Sequence, residues 1–220
     1  MMGKTHMAVG GAAGIGLALA FNLSPQISAA FVVASVVGSL IPDLDSFGST
    51  GAHLFVKLSP VVGALFLLFL SPRNASLESR FLDACIVALF VALLPPLIAT
   101  IFPHRGPTHS VLLWLLVLLA VSLLLSFGLV WALAFGLVSG IIVGGILPDA
   151  ATHSGVPALW PVYRERVHIL PDGYRVKTGG FIELFLIRPA LLLLGLLLFL
   201  HLLKDQMPLL LRLPWLSHPF

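Results

Sequence analysis

The sequence predicts an all-α fold, a polytopic transmembrane bundle of about seven spans or of five spans plus a shallow helical hairpin. Three observations predict it. Of the 220 residues 59% are apolar and only 10% charged, against about 25% charged in a soluble domain. Apolar runs near the 20 or so residues that a helix needs to cross about 30 Å of hydrocarbon recur along the chain. Polar residues are gathered in the breaks between those runs. So few ionisable groups cannot build a water-facing surface, which excludes a soluble enzyme, a disordered tail and a coiled coil. A net charge of +3 is too small to suggest nucleic acid as a partner. The one cysteine, Cys85, lies in an apolar run, so there is neither a disulfide framework nor a thiolate metal site.

The elements follow in chain order within a single domain, 1–220. Lys4 precedes an apolar stretch from Met7 to Leu23. No A-x-A cleavage pattern follows it convincingly, so it reads as an uncleaved first span. A second run covers 28–41. Both are short and rich in small residues such as Gly10, Gly14, Ala34, Ser35 and Gly38, which let backbones approach closely and place this pair mid-bundle. The stronger spans are 56–70, 82–101, 110–127, 129–147 and 182–203. Pro25, Ser71-Pro72-Arg73-Asn74 and Ser126-Phe127-Gly128 turn the chain on one side. The N-terminus, Pro42-Asp43-Leu44-Asp45, Pro103-His104-Arg105-Gly106-Pro107 and the stretch from Pro148 to Gly180 all emerge on the other.

That second face holds His6, Asp43, Asp45, His104, Arg105, His109, Asp149 and His153. Ionisable groups at membrane depth are costly and usually functional. An internal parallel repeat over 5–43 and 108–149 sharpens the pattern. Thr5-His6 opens a helical hairpin that closes on Pro42-Asp43, and Thr108-His109 opens another that closes on Pro148-Asp149. Each unit thus offers one His and one Asp near the same depth.

Imidazole and carboxylate donors without thiolates suit Zn²⁺, Mn²⁺ or Fe²⁺. Asp43-x-Asp45 can place two carboxylates around one ion or bridge two. Metal pairs about 3.5–4 Å apart activate water and stabilise both oxygens of a phosphoryl displacement. Arg105 reads as a bidentate phosphate clamp or as a snorkelling interface anchor. Glu183, at the mouth of the last span, reads as a carboxylate satisfying the helix dipole or as a catalytic base. His53, His168, His201 and His218 read as ordinary core or surface groups.

His104-Arg105-Gly106-Pro107-Thr108-His109-Ser110, with Pro42-Asp43-Leu44-Asp45 and Thr5-His6 before it, resembles the YdjM-like, LexA-regulated family of membrane-bound metal-dependent hydrolases. Pro148 to Pro157 resembles that family's Asp-x-x-Thr-x-x-Gly-Val segment, and the matching pieces spread over about residues 5–185. The resemblance implies kinship with zinc phospholipases C and the zinc nucleases akin to them. It also implies an inner (plasma) membrane location and one to three divalent ions, zinc foremost. His6, Asp43, Asp45, His104, His109 and Asp149 are its candidate ligands, and His153 is a further one. Arg105, Asp45 and Glu183 are the residues expected to act in catalysis. The Trp terminus of the soluble relatives is absent, which weighs against a trinuclear site.

Other chemistries lack their motifs. The chain has no Gly-x-Ser-x-Gly elbow, no His-Glu-x-x-His and no phosphate-binding Gly-x-x-x-x-Gly-Lys loop. The segment 154–180 mixes Trp160, Tyr163, Arg164, Arg166, Arg175 and Lys177, the composition of an interfacial loop or lid at the headgroup layer. Asp172-Gly173 suggests a short hairpin within it. Lys4, Lys57, Arg105, Arg164, Arg166, Arg175 and Lys177 on the motif face outnumber Arg73, Arg80, Lys204 and Arg212 opposite, which predicts a cytoplasmic motif face. The expected activity is hydrolysis of a phosphoester, phospholipid included, by metal-activated water at the membrane interface. A metal-cation transporter and a non-catalytic protein with a structural metal are the alternatives. Membrane lipids are the expected partners.

Overall fold

The computed structural model describes residues 1–46, 48–65, 67, 76–102, 105–124 and 129–210. The helices are α1 (Gly3–Ala20), α2 (Pro25–Gly38), α3 (Thr50–Leu65), α4 (Leu77–Ile101), α5 (Val111–Leu124), α6 (Leu129–Ser139), the short α7 (Leu147–Ala150) and α8 (Arg188–Leu210). A π-helical stretch, Gly140–Ile146, joins α6 to α7 without a break, and a second, Ile182–Ile187, leads into α8. The described residues form no strand, only isolated bridges. Four segments are long and apolar enough to cross a membrane: Pro25–Asp45, Leu77–Ile101, Val130–Ala150 and Ile182–Lys204. The all-α expectation holds, and the seven long helices follow the expected order. Their starts shift. α1 begins at Gly3, so Thr5 and His6 lie inside it; α3 begins at Thr50 and α4 at Leu77, ahead of the expected 56 and 82.

Local chemistry sets these boundaries. Pro25 occupies the first turn of α2, where its missing N–H costs nothing. The Ser76 hydroxyl accepts the Ser79 N–H at 3.2 Å to cap α4. The Ser110 hydroxyl accepts from Leu113 N at 3.1 Å where α5 starts.

Small residues place α1 and α2 at the centre, as their composition predicts, and α6 packs there with them. Ser35 of α2 donates to the Gly10 carbonyl of α1 at 2.8 Å. Gly140 lies so close to the Ser35 carbonyl that no β-carbon would fit. Phe31, Ala132 and Ala18 fill the seam beside them. α4 and α8 sit outside, with most of their leucines and phenylalanines exposed on the surface, as lipid-facing helices require.

The segment after α7 folds back over one end of this bundle. Val156 and Val167 exchange backbone hydrogen bonds at 3.2 and 2.8 Å, and Val176 N donates to Ala151 O at 3.0 Å. The hairpin expected at Asp172-Gly173 is instead a 3-10 turn, Asp172–Tyr174. The reason is that Val176 pairs back toward Ala151 and Thr152, leaving no strand partner across the turn.

Candidate metal centre

His6 stands in the first turns of α1 because Met2 O accepts the amides of both Thr5 and His6 and starts the helix. Asp43 and Asp45 sit on the 3-10 turn Pro42–Asp45 that stops α2. His109 ends a second 3-10 turn, Pro107–His109, and Asp149 lies in α7. The four elements meet at one point. His6 Nε2 is 3.4 Å from Asp149 Oδ1 and 3.9 Å from Asp43 Oδ2. His109 Nε2 is 3.2 Å from Asp149 Oδ2, and its Nδ1 is 3.4 Å from Asp45 Oδ2. Asp149 therefore turns one oxygen to each histidine, one from each half of the repeat.

His6, Asp43 and Asp149 offer three ligand atoms within 4.8 Å of one another, a group able to hold a metal ion. Ligands bonded at 2.0–2.2 Å around a tetrahedral ion stand about 3.4 Å apart, which is the His6–Asp149 spacing. The imidazole supplies a further test. Its Nδ1 lies 2.9 Å from the Gly144 carbonyl, which can only accept, so the proton is on Nδ1. Nε2 is buried with no hydrogen-bond partner and faces two carboxylates. A buried acceptor among acceptors is destabilising until a proton or a metal cation sits between them. Burial disfavours the proton, but the neighbouring Asp149 and Asp43 carboxylates raise the His6 pKa. A carbonyl fixing the far nitrogen is also the usual arrangement behind a metal-bound histidine. The residues fit a divalent ion. The Met1 ammonium also contacts Asp149 Oδ1.

The second histidine is held differently. In addition to His109, the Asp45 carboxylate accepts from Thr108 Oγ1 at 2.7 Å and from Arg105 N at 2.8 Å. Burial pulls the His109 imidazole toward neutrality, but hydrogen bonds and charge from Asp149 and Asp45 outweigh it and raise its pKa above the ordinary histidine value. His6, Asp45, His109 and Asp149 are buried, whereas Asp43 and Arg105 keep some exposure. Access to the group is therefore past Asp43 and Arg105. The Arg105 guanidinium hydrogen-bonds the Gly155 carbonyl at 3.1 Å and lies 4.0 Å from Asp149. Its backbone is left-handed, with φ of 61°, an uncommon state for a non-glycine residue. The hydrogen bond from its backbone N–H to Asp45 Oδ2 holds that conformation.

Three sequence candidates fare otherwise. His104 lies outside the described residues. His153 is exposed, because the turn after α7 sends Thr152 inward, where its hydroxyl binds Asp149 O at 2.7 Å, and the next side chain outward. Glu183 is buried, and its oxygens accept from Met2 N at 2.7 Å and Gly179 N at 2.8 Å. Both oxygens are thus engaged by backbone amides where the last helix starts, and Met2 is the neighbour of Met1, whose ammonium contacts Asp149. Sequence reasoning missed the Gly144 carbonyl, the Thr108 hydroxyl and the Arg105 amide. Gly144-Gly145 just before Pro148-Asp149 was the available signal, because close helix approach exposes carbonyls. A π-helical stretch there is a further mark of a functional position.

No curated protein and no solved structure matches the chain. The family model described as YdjM inner membrane protein matches residues 1–203, which span both Thr-His corners, both Pro-Asp corners and most of α8. With its apolar helices and buried His/Asp group, the chain belongs to the YdjM inner membrane protein family.

Proposed function

We propose that this protein is a metal-dependent hydrolase of phosphoesters, with its metal on His6, Asp43 and Asp149. The orphaned Nε2 of His6, aimed at two carboxylates from a ring fixed by Gly144, carries the reading. A divalent ion bound there supplies an acidified water and a positive charge for a phosphoryl oxygen. The chain's own groups do the rest. Gly144 O holds the His6 tautomer, and Asp149 joins the two histidines. Asp45 and His109 form the adjoining proton-holding pair, with Asp45 positioned by Thr108 and by the Arg105 amide. Arg105, partly exposed at the rim, presents a guanidinium fork to the developing phosphate charge. Zinc suits the nitrogen and oxygen donors, and Asp149 has the two-sided placement to serve a second ion. The motif face lies in the cytoplasm on the positive-inside rule.

A transporter needs polar groups along a path through the bilayer. Among the described residues no second group of three potential metal ligands accompanies this one, which favours chemistry at one face. The test is elemental analysis of purified protein, followed by a panel of phosphomonoesters, phosphodiesters and phospholipids. Wild-type protein should carry divalent metal and turn over a member of the panel. His6→Ala and Asp149→Asn should do neither. Normal metal content in both variants refutes the assignment.

A further inference from the structure

We infer that an apolar cavity between α2, α3 and α4 is the acyl-chain subsite of this centre, so that its substrate is a phosphate-bearing membrane lipid. The substrate assignment rests on the hydrolase reading; the chain-binding cavity does not. The cavity has a volume of about 230 Å³ and no polar side chain in its lining. Val37 of α2 and Val91 of α4 form two of its walls.

Continuity with the metal-capable group carries the argument. The inner end of the cavity is Leu40, which is 1% exposed. The Leu40 carbonyl accepts the Asp43 amide at 3.2 Å. Gly51, in the first turn of α3, packs against both: a β-carbon there would come within 2.7 Å of Leu40 O and 3.5 Å of Asp43 Cβ. From Gly51 the same face of α3 continues through Leu54, Phe55, Leu58 and Val62, all four lining the cavity. One helix face thus begins at Gly51 beside a candidate ligand and lines the cavity from Leu54 to Val62, about 12 Å at 1.5 Å per residue. Along the lining the exposure rises from Leu40, the residue whose carbonyl holds the Asp43 amide, to Leu58 at 42% and Val62 at 36%. A void with no polar partner does not hold water stably, and a lipid chain is the apolar molecule that surrounds a membrane helix. Chain in the cavity and phosphate at the exposed edge of Asp43 and Arg105 is the arrangement these contacts support.

The experiment uses the full chain in phosphatidylcholine vesicles doped with phosphatidic acid bearing a diazirine near one chain end. Irradiation and peptide mapping read where the chain sits, independently of turnover. Adducts should concentrate on Leu58, Val62 and Val91 over the lipid-facing leucines of α8, such as Leu193 and Leu197. Leu54→Trp, which fills the cavity, should lower that preference about tenfold, the equivalent of two buried methylenes, and leave α8 labelling unchanged. Val62→Trp, at the exposed end of the lining, gives the same reading if Leu54→Trp does not fold. Equal labelling of α3 and α8, or a preference untouched by both tryptophans, overturns the proposal. Wild-type turnover on the phosphoester panel separates the two ideas. Preferential labelling in a wild-type protein that turns over no phosphoester keeps the cavity and rejects the hydrolase reading; wild-type turnover without preferential labelling does the reverse.

Discussion

Gly144→Ala tests how closely the bundle packing and the metal-capable group depend on each other. An added β-carbon would lie 2.5 Å from Ser39 Cβ and 2.8 Å from Gly10 Cα. Ordinary van der Waals contact begins near 3.4 Å, so α1 and α2 must retreat from the π-helical stretch by about 0.6–0.9 Å. Overpacking of this kind costs about 1–3 kcal/mol. The same movement draws His6, carried on α1, away from the Gly144 carbonyl that holds its Nδ1 at 2.9 Å. Loss of such a supporting hydrogen bond typically lowers metal affinity about 10- to 100-fold. Zn²⁺ affinity, measured by chelator competition beside a thermal melt, should therefore fall together with stability. Gly173→Ala is the control, because nothing lies within 4 Å of its added carbon. Wild-type affinity in a destabilised Gly144→Ala protein would refute the coupling between helix approach and the His6 tautomer.

Arg105→Ala should keep its metal and lose about 10²- to 10³-fold in kcat on whichever phosphoester the panel finds, with Arg105→Lys recovering part. Full activity would return Arg105 to an anchoring role. His153→Ala should retain metal, since the side chain is exposed outside the group, and elemental analysis checks this. Metal affinity should fall as the pH is lowered, because the His6 imidazole must be unprotonated at Nε2 when a cation binds. A pH-independent affinity would contradict that. Glu183→Gln should weaken the hold on the Met2 and Gly179 amides, lowering the melting temperature more than the metal content.

The sequence by itself determined the class of protein, the order of the helices and the face that carries the chemistry. Those features are local. Long apolar runs demand helices in a bilayer, Pro42 opens the turn that stops α2 while the helix runs past Pro148 to Ala150, and small residues mark α1 and α2 as central. His6, Asp43, Asp45, His109 and Asp149 were legible for the same reason, as rare ionisable groups at helix ends, and they stand together in the fold. Who pairs with whom was not legible. The repeat suggested one His and one Asp per unit, yet Asp149 serves both histidines and His6 reaches across the repeat to it. That follows from α1 packing on the π-helical stretch at Gly144, a contact between residues 138 apart that no local pattern encodes. His153 and Glu183 differ from the first-named ligands only by where their side chains point. One turn after α7 sends Thr152 inward and His153 outward, and two backbone amides claim Glu183. Direction at a helix end is decided by tertiary packing, because a single residue's rotation of the chain moves a side chain from the buried group to the surface.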